Sequence, residues 1–207
     1  CGAVCPAGID VSKLILKARE AVPNATAKKL FDLQAKQGLF EFLLKAAAWT
    51  QVLWDRPKVR KWIAALSHAF LKGLAPTARI PADMILPRLA KKRLRERHPD
   101  LTQVKTGVAY FHGCAANYLD DGVGDAVIAL LKKSGVNPAL PPQRCSGTPI
   151  QTYGLSDLVL ENARFNMNTL ASYDKIVTGC ASCTYMLKDY AALFPEGENQ
   201  EKAQILA

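Results

Sequence analysis

The sequence predicts an α/β fold, with a helical N-terminal region followed by a small parallel sheet built from βαβ units. The main observation is a set of short apolar segments, each followed by a cysteine-containing turn and then by a helical pattern. These predicted strands are 106–112, 136–140 and 175–178. Strands that are separated by helices run parallel, so their carboxyl ends open on one edge of the sheet, where ligands bind.

Four cysteines follow these predicted strands. Cys114 comes after the first strand, Cys145 after the second, and Cys180 and Cys183 after the third. Because the three strand ends share an edge, we expect the four thiols to converge there. Four thiolates at one point are suited to zinc or to an iron–sulfur cluster, and the sequence therefore predicts all four as metal ligands.

Helical periodicity predicts the remaining elements. Asp10 or Ser12 is placed to cap the first helix, and Val11, Leu14, Ile15 and Ala18 share an apolar face. The predicted helices are 10–21, 26–37, 39–54, one following Pro57, a short basic helix or linker at 88–98, and then 122–134, 156–172 and 182–193.

The first residues carry a motif of their own. Cys1 and Cys5 form a C-x3-C-P run with Pro6, which matches the end of a bacterial ferredoxin cluster motif. The two earlier cysteines of that motif do not precede it, so we expect the chain to be a fragment of a longer protein. The predicted organisation is the end of a ferredoxin module at 1–12, a basic helical connecting region at 13–103, and a cysteine-rich domain at 104–207.

Composition narrows the class of protein. The hydrophobic share of 49 % is ordinary for a globular chain, and no apolar run reaches the length of a membrane-spanning helix. Six cysteines, two of them in a C-x2-C motif, favour metal-bound thiolates in a reducing compartment over a disulfide scaffold. We therefore expect a cytoplasmic protein, placed at the inner face of the cytoplasmic membrane if its basic helices bind lipid.

The positive charge is concentrated in one region. Residues 35–98 hold 14 Lys and Arg against four acidic residues, a net charge of +10, whereas the whole chain carries +9. Aromatic residues are interleaved with these bases, which is typical of helices at a membrane surface, although a core-facing stripe with a solvated basic rim is an equally simple interpretation. We expect peripheral membrane contact through 39–73, and no nucleic-acid binding, because the basic run at 91–95 belongs to no known motif.

Three segments together resemble a known family. They are Tyr110-Phe111-His112-Gly113-Cys114 with Asn117-Tyr118, then Cys145-Ser146-Gly147-Thr148-Pro149, then Cys180-Ala181-Ser182-Cys183. This set is similar to the cysteine-rich CCG domain that one of the subunits of heterodisulfide reductase contains. The same domain occurs in the iron–sulfur subunits of anaerobic glycerol-3-phosphate dehydrogenase and of glycolate and lactate oxidases.

The resemblance implies an iron–sulfur electron-transfer subunit. Electrons would come from a flavoprotein dehydrogenase partner, pass through ferredoxin clusters that include Cys1 and Cys5, and continue toward quinone or another acceptor. Substrate oxidation would belong to the partner, so the fragment is not expected to be catalytic alone. The alternatives are a thiol–disulfide enzyme subunit acting on a heterodisulfide, and a structural domain bound to zinc.

One position departs from the family pattern. The family has two adjacent cysteines before a glycine, and here Ser146 replaces the second, with Gly147 following. A hydroxyl is a much poorer ligand for soft metals than a thiolate, so Ser146 favours a four-thiolate [4Fe–4S] cluster over the five-thiolate non-cubane cluster of the reductase, with zinc as a further alternative. Ser146, Gly147 and Asn117 are expected to lie near the site.

Simpler interpretations remain for individual residues. Cys180 and Cys183 have the spacing of a redox-active dithiol at a helix N-terminus, and Cys114 and Cys145 could be buried free thiols. His112 is expected to be a hydrogen-bonded strand residue, and Tyr110 to pack beside the site.

Overall fold

The computed structural model describes residues 9–35, 37–54, 88–105, 107–119 and 121–194, together with the single positions 56, 58, 59 and 62. Cys1 and Cys5 lie outside the described residues, as do the C-terminal end of the chain and almost all of the helix predicted after Pro57. The ferredoxin-like segment at 1–12 therefore remains a prediction.

The described chain is helical first and α/β afterwards, as the sequence predicts. The helices are α1 (Val11–Ala21), α2 (Ala25–Ala35), α3 (Gln37–Trp54), α4 (Leu94–Arg97), α5 (Gly113–Tyr118), α6 (Asp121–Lys133), α7 (Thr148–Gln151), α8 (Ser156–Leu170) and α9 (Ala181–Leu193). The strands are β1 (Val108–Phe111) and β2 (Lys175–Thr178), and a 3-10 turn occupies Asp100–Thr102.

The two strands pair in parallel, with Val108 opposite Lys175 and Phe111 opposite Thr178. The predicted strand at 136–140 is wrong in extent, because among the described residues only Ala139 forms a bridge to β1. Its N–H donates to the Val108 carbonyl at 2.7 Å. Pro138, Pro141 and Pro142 have no N–H to donate, and the N–H of Leu140 donates to the Leu101 carbonyl and not to a strand. The segment still runs alongside β1 and ends in the Cys145 loop.

The sheet separates two apolar clusters. Ala109 and Phe111 face a large cluster with α8 and α9, whereas Tyr110 faces a smaller one with α4 and α6. This alternation is the period of two that a strand buried on both faces must have. The clusters are completed on the first side by Val159, Met167, Leu170, Met186 and Tyr190, and on the second by Leu94, Leu101, Ile128 and Leu140.

Helices α1 and α2 contact the cysteine-rich part of the chain. The Arg19 guanidinium donates to the Thr152 carbonyl at 2.8 Å, and Ser156 donates to the Glu20 carboxylate at 2.6 Å. On α2, Ala27 is buried in the larger cluster, and the Phe31 ring lies 5.8 Å from that of Tyr153. The predicted α1 cap is Asp10, which accepts from the Lys13 N–H, but the apolar face predicted for α1 is exposed.

Helix α3 is held by ion pairs with the basic segment before β1. Glu41 pairs with Arg93, Lys45 pairs with Glu96 at 2.7 Å, and Arg93 also binds Glu96 at 2.7 Å. These partly buried charges form one network. Burial raises the pKa of Glu96, but hydrogen bonds from Arg93 and Lys45 outweigh burial and hold that pKa down to about 2. Part of the basic excess at 35–98 therefore forms ion pairs within the protein.

A buried amide fixes the loop that carries Cys145. Asn166 of α8 is fully buried, and its Oδ1 accepts from the Arg144 N–H at 2.8 Å while its Nδ2 donates to the Tyr190 hydroxyl at 3.1 Å. Tyr190 in turn donates to the Ser146 carbonyl at 2.9 Å. Asn166 and Tyr190 together thus bind the loop on both sides of Cys145.

We expect Asn166→Ala to lower the free energy of unfolding by about 3 kcal/mol, because buried groups that lose their partner cost about 1–3 kcal/mol each. Chemical denaturation measures the change. Asn168→Ala, at an exposed position two residues along the same helix, is the matched control and should change stability by less than about 0.5 kcal/mol. Equal effects of the two substitutions would contradict the assignment.

Candidate metal centre

The parallel strands deliver all four described cysteines to one end of the sheet. Cys114 lies in the first turn of α5, three residues after β1, and Cys180 follows β2 by two residues as the N-cap of α9. Cys183 lies in the first turn of α9. Cys145 lies in the loop that follows the Ala139 bridge, and these four are the free cysteines of the described chain.

A single cavity of about 550 Å³ touches every one of these cysteines. Its walls are mostly small and apolar, and they include residues from all three loops: Tyr110, His112, Gly113, Cys114, Ala115, Ala116, Val123, Cys145, Ser146, Thr148, Pro149, Thr152, Gly179, Cys180, Ser182 and Cys183. The volume lies within the ordinary range of cofactor and ligand sites. The structure therefore brings together four of the six cysteines that the sequence predicts as ligands, while Cys1 and Cys5 lie outside the described residues.

Cys114 and Cys145 form a thiol pair, with their Sγ atoms 3.9 Å apart. The hydrogen bond with Cys145 lowers the pKa of Cys114 to about 7, against the opposing effect of burial. The same bond and burial raise the pKa of Cys145. In the metal-free protein near neutral pH, Cys114 is thus the thiolate of the pair and Cys145 the donor.

Cys180 and Cys183 form a second unequal pair. Burial raises the pKa of Cys180, but hydrogen bonds from the Ser182 hydroxyl, 3.2 Å away, and from the first amides of α9 outweigh burial and lower it. Burial raises the pKa of Cys183 to about 12. Ser182 is a site residue that the sequence analysis missed, and its position between two cysteines in a C-x2-C turn was the available signal.

Ser146 touches the site through its hydroxyl. It is almost completely buried, and its Oγ donates to the Cys183 Sγ at 3.5 Å. The next residue, Gly147, has a left-handed φ of 111° and caps α7. Asn117 has a different role, because its Oδ1 accepts from the Leu94 N–H at 3.1 Å and so anchors α4 to α5.

Gly113 permits the close approach of the first and third loops. Its φ is +70°, a conformation that side chains rarely adopt, and a Cβ built there would lie 2.9 Å from the Cys183 Sγ. Its N–H donates to the Gln143 side chain at 3.1 Å, which links the first loop to the second. A larger residue at 113 would separate Cys114 from Cys183.

Two polar atoms on the cavity walls have no partner within the described protein. The imidazole of His112 donates from Nδ1 to the Gly113 carbonyl at 2.8 Å, which leaves Nε2 unprotonated and without a hydrogen bond. Burial lowers the pKa of His112 to about 4, so the ring is neutral. The hydroxyl of the fully buried Tyr110 also has no partner. The sequence expectation that His112 is hydrogen-bonded holds for only one of its nitrogens.

The thiols form two pairs rather than a closed coordination sphere. Across the residues that the structure describes, no group of three or more His, Cys, Asp or Glu side chains stands at metal-binding distances. Coordination by all four cysteines would draw the pairs inward across the cavity. Soft donors on three loops, a cavity between them and a glycine that lets the loops approach are consistent with a sulfur-liganded metal group.

The part of the chain that contains the four cysteines is similar to known proteins. Residues 108–188 match the CCG family, described as "Cysteine-rich domain". Curated relatives include a fumarate reductase (CoM/CoB) subunit of Methanothermobacter marburgensis, which is 35 % identical over 40 % of this chain and 17 % of its own length. A probable glycolate oxidase iron-sulfur subunit of Bacillus subtilis is 22 % identical over 95 % of this chain and 46 % of its own.

A third relative is an anaerobic glycerol-3-phosphate dehydrogenase subunit of Escherichia coli, which is 28 % identical over 42 % of this chain and 24 % of its own. The chain thus spans less than half the length of each of these curated relatives. No solved structure gives a significant match.

We expect iodoacetamide to modify Cys114 and Cys180 of the metal-free protein faster than Cys145 and Cys183, since the thiolate is the nucleophile. The rate at Cys114 should rise from about pH 6 to about pH 8, following its pKa of about 7. Peptide mass spectrometry after timed alkylation measures each site.

The control is Cys145→Ala, which removes the hydrogen-bond donor to Cys114 and should move the Cys114 midpoint to higher pH. Four cysteines that react at one common rate, or an unchanged midpoint in the control, would refute the unequal pairs.

Proposed function

We propose that this chain, whose residues 108–188 belong to the CCG cysteine-rich domain family, is part of an iron–sulfur subunit that carries electrons within an oxidoreductase complex. The observation that carries the proposal is the position of Cys114, Cys145, Cys180 and Cys183 around one cavity at the end of a parallel sheet. The relatives support it, since one is named as an iron-sulfur subunit and another as a dehydrogenase subunit.

A [4Fe–4S] cluster held by these four cysteines is the group that we propose. When bound, it would accept and release single electrons. The cysteines would hold it, and the small apolar walls of the cavity would limit the access of water. Ser146 argues against a five-thiolate cluster, because its buried hydroxyl occupies the position of the additional thiol and already donates to Cys183. A non-cubane cluster and zinc remain the alternatives for the same donors.

The partners follow from the same proposal. Electrons would arrive from a flavoprotein dehydrogenase subunit, through ferredoxin-type clusters to which Cys1 and Cys5 would contribute. They would leave toward quinone or another acceptor. Substrate oxidation would belong to the partner.

A thiol–disulfide enzyme is the second candidate, and one observation favours it. Cys180 has a lowered pKa at a helix N-terminus and Cys183 a raised one, which is the division between attacking and resolving thiols in redox-active C-x2-C motifs. That assignment leaves Cys114 and Cys145 without a role, although they line the same cavity.

Iron content and EPR of anaerobically prepared protein test the proposal. We expect about four iron atoms for each chain at this site and a reduced cubane signal, both lost in Cys145→Ser. Absence of iron, with zinc present instead or with reversible Cys180–Cys183 disulfide formation, would favour one of the alternatives.

Ser146→Cys extends the test. Since Ser146 touches Cys183, a thiol at 146 should change the EPR signature. Ser134→Cys, which adds a thiol at an exposed position after α6, is the matched control and should leave the spectrum unchanged. Identical spectra and iron content in wild type and Ser146→Cys would show that position 146 does not contact the cluster.

We propose in addition that α3 binds the cytoplasmic surface of an anionic membrane. Its solvent face is an apolar stripe at helical spacing, which we call the α3 stripe and which consists of Leu39, Phe42, Leu43, Trp49 and Leu53. Trp49 is 71 % exposed and Trp62, further along the predicted segment, 72 % exposed. The opposite face of α3, with the buried Ala48 and Gln51, contacts the rest of the protein.

Basic residues border the α3 stripe. Lys91 lies 5.4 Å above the Trp49 ring, and both Lys91 and Lys92 are exposed. Each such cation near an anionic surface contributes about 1 kcal/mol of attraction. None of the described helices has the length and hydropathy of a membrane-crossing helix. The side chains of Trp54 and Phe70, predicted for the same surface, lie outside the described residues.

We expect the protein to co-sediment with vesicles that contain anionic lipid, with binding weakened by salt and by Trp49→Ser. Val22→Ser removes a side chain that is 80 % exposed but lies outside the stripe, and it should leave binding unchanged. If low salt gives no binding to anionic vesicles, or if Trp49→Ser and Val22→Ser bind alike, the stripe has another occupant, such as the ferredoxin module or the dehydrogenase partner.

A further inference from the structure

The hydroxyl of Tyr110 is an unusual group for a protein interior. Tyr110 is fully buried in β1, and its Oη has no hydrogen-bond partner among the described residues. Tyr190, equally buried, instead bonds both Ser146 and Asn166. A buried donor without an acceptor costs free energy and is rare in native proteins. The Tyr110 hydroxyl therefore indicates an acceptor outside the described residues, and its place on the cavity wall points to a group bound in that cavity.

This hydroxyl lies next to Gly179. A Cβ built on Gly179 would lie 3.6 Å from the Tyr110 Oη and 3.0 Å from a Val127 methyl group. Tyr110, Gly179 and Cys180 all line the cysteine cavity, and Gly179 immediately precedes Cys180. The hydroxyl thus lies at the cavity wall, beside the backbone that presents Cys180.

The protonation state makes the group a donor. Burial raises the pKa of Tyr110 to about 12, and negative charge on Cys180 and Cys183 acts in the same direction. The phenol therefore keeps its proton near neutral pH and remains available as a donor. Sulfur in a cluster or in its cysteine ligands accepts hydrogen bonds, and such bonds help to set the reduction potential of iron–sulfur groups.

We propose that the Tyr110 hydroxyl donates a hydrogen bond to a sulfur of the bound iron–sulfur group, on the side of the cavity where Cys180 lies. This hydrogen bond raises the reduction potential of the iron–sulfur group. This inference rests on the proposed function. The bond strengthens when the group gains an electron, because the added negative charge resides partly on sulfur, so the reduced state is stabilised more than the oxidised state. Tyr110 is a positioning residue, since it transfers neither the electron nor its proton.

The test compares the holoprotein with Tyr110→Phe, by EPR-monitored redox titration under anaerobic conditions. We expect a lower midpoint potential in Tyr110→Phe and the loss of one exchangeable-proton coupling in the ENDOR spectrum of the reduced cluster. Tyr173→Phe is the matched control, because its hydroxyl donates to the Val104 carbonyl and Tyr173 does not line the cavity. It should leave the potential and the coupling unchanged.

A second variant should shift the midpoint potential in the opposite direction. Replacement of Tyr110 by 3,5-difluorotyrosine retains the shape and makes the phenol a stronger donor, so the midpoint should rise. In the metal-free protein, Tyr110→Phe should not lower the unfolding temperature, because no protein partner is lost, whereas Tyr173→Phe should lower it.

Equal potentials and couplings in the wild type and in both Tyr110 variants, with iron bound, would overturn the hydrogen bond alone. A wild-type protein that binds no iron under these conditions would overturn the proposed function, and this inference with it, since no sulfur acceptor would then be present.

Discussion

The parallel pairing of β1 with β2 is the constraint on which the rest of this structure depends. It places the ends of both strands side by side, so that Cys114 and Cys180 leave the sheet at the same edge although 66 positions separate them in the sequence. The Ala139 segment extends this edge and adds the Cys145 loop. Without this pairing, the three cysteine-containing loops would be unrelated, and the cavity that they share would not form.

Buried hydrogen bonds, in addition to apolar packing, hold the cysteine-containing loops at that edge. Asn166 and Tyr190 bind the backbone around Cys145, and Gln143 joins that loop to Gly113 at the start of α5. The thiols therefore come to the cavity on backbone that is tied by buried hydrogen bonds. A metal group that draws the two pairs together would move side chains and local turns, while the sheet and α8 provide a fixed frame.

Much of the fold and of the candidate site could be predicted from the sequence, and particular residues show why. The order of helices and strands and the shared edge follow from periodicity and from the parallel rule, and most helix bounds agree within a few residues. The strand at 136–140 could not be predicted correctly from its apolar pattern, because its prolines limit what the backbone can donate. Periodicity also could not predict that the apolar face of α1 is exposed, because tertiary contacts through Arg19 and Glu20 decide how that helix docks. The unpartnered hydroxyl of Tyr110 required coordinates, whereas Ser182 could have been found from its place between the two cysteines of the C-x2-C turn.

The charges of the N-terminal region divide into two sets with different physical roles. Arg93 and Lys45 are used in partly buried pairs with Glu41 and Glu96, which join α3 to the segment before β1, whereas Lys91 and Lys92 stay exposed beside the apolar stripe. Salt screens exposed charges far more than buried ones. Moderate salt should thus weaken any lipid contact of α3 while leaving its attachment to the cysteine-rich domain intact. A helix that is bound to the cysteine-rich domain on one face and open on the other can position that domain at a surface without itself entering the site.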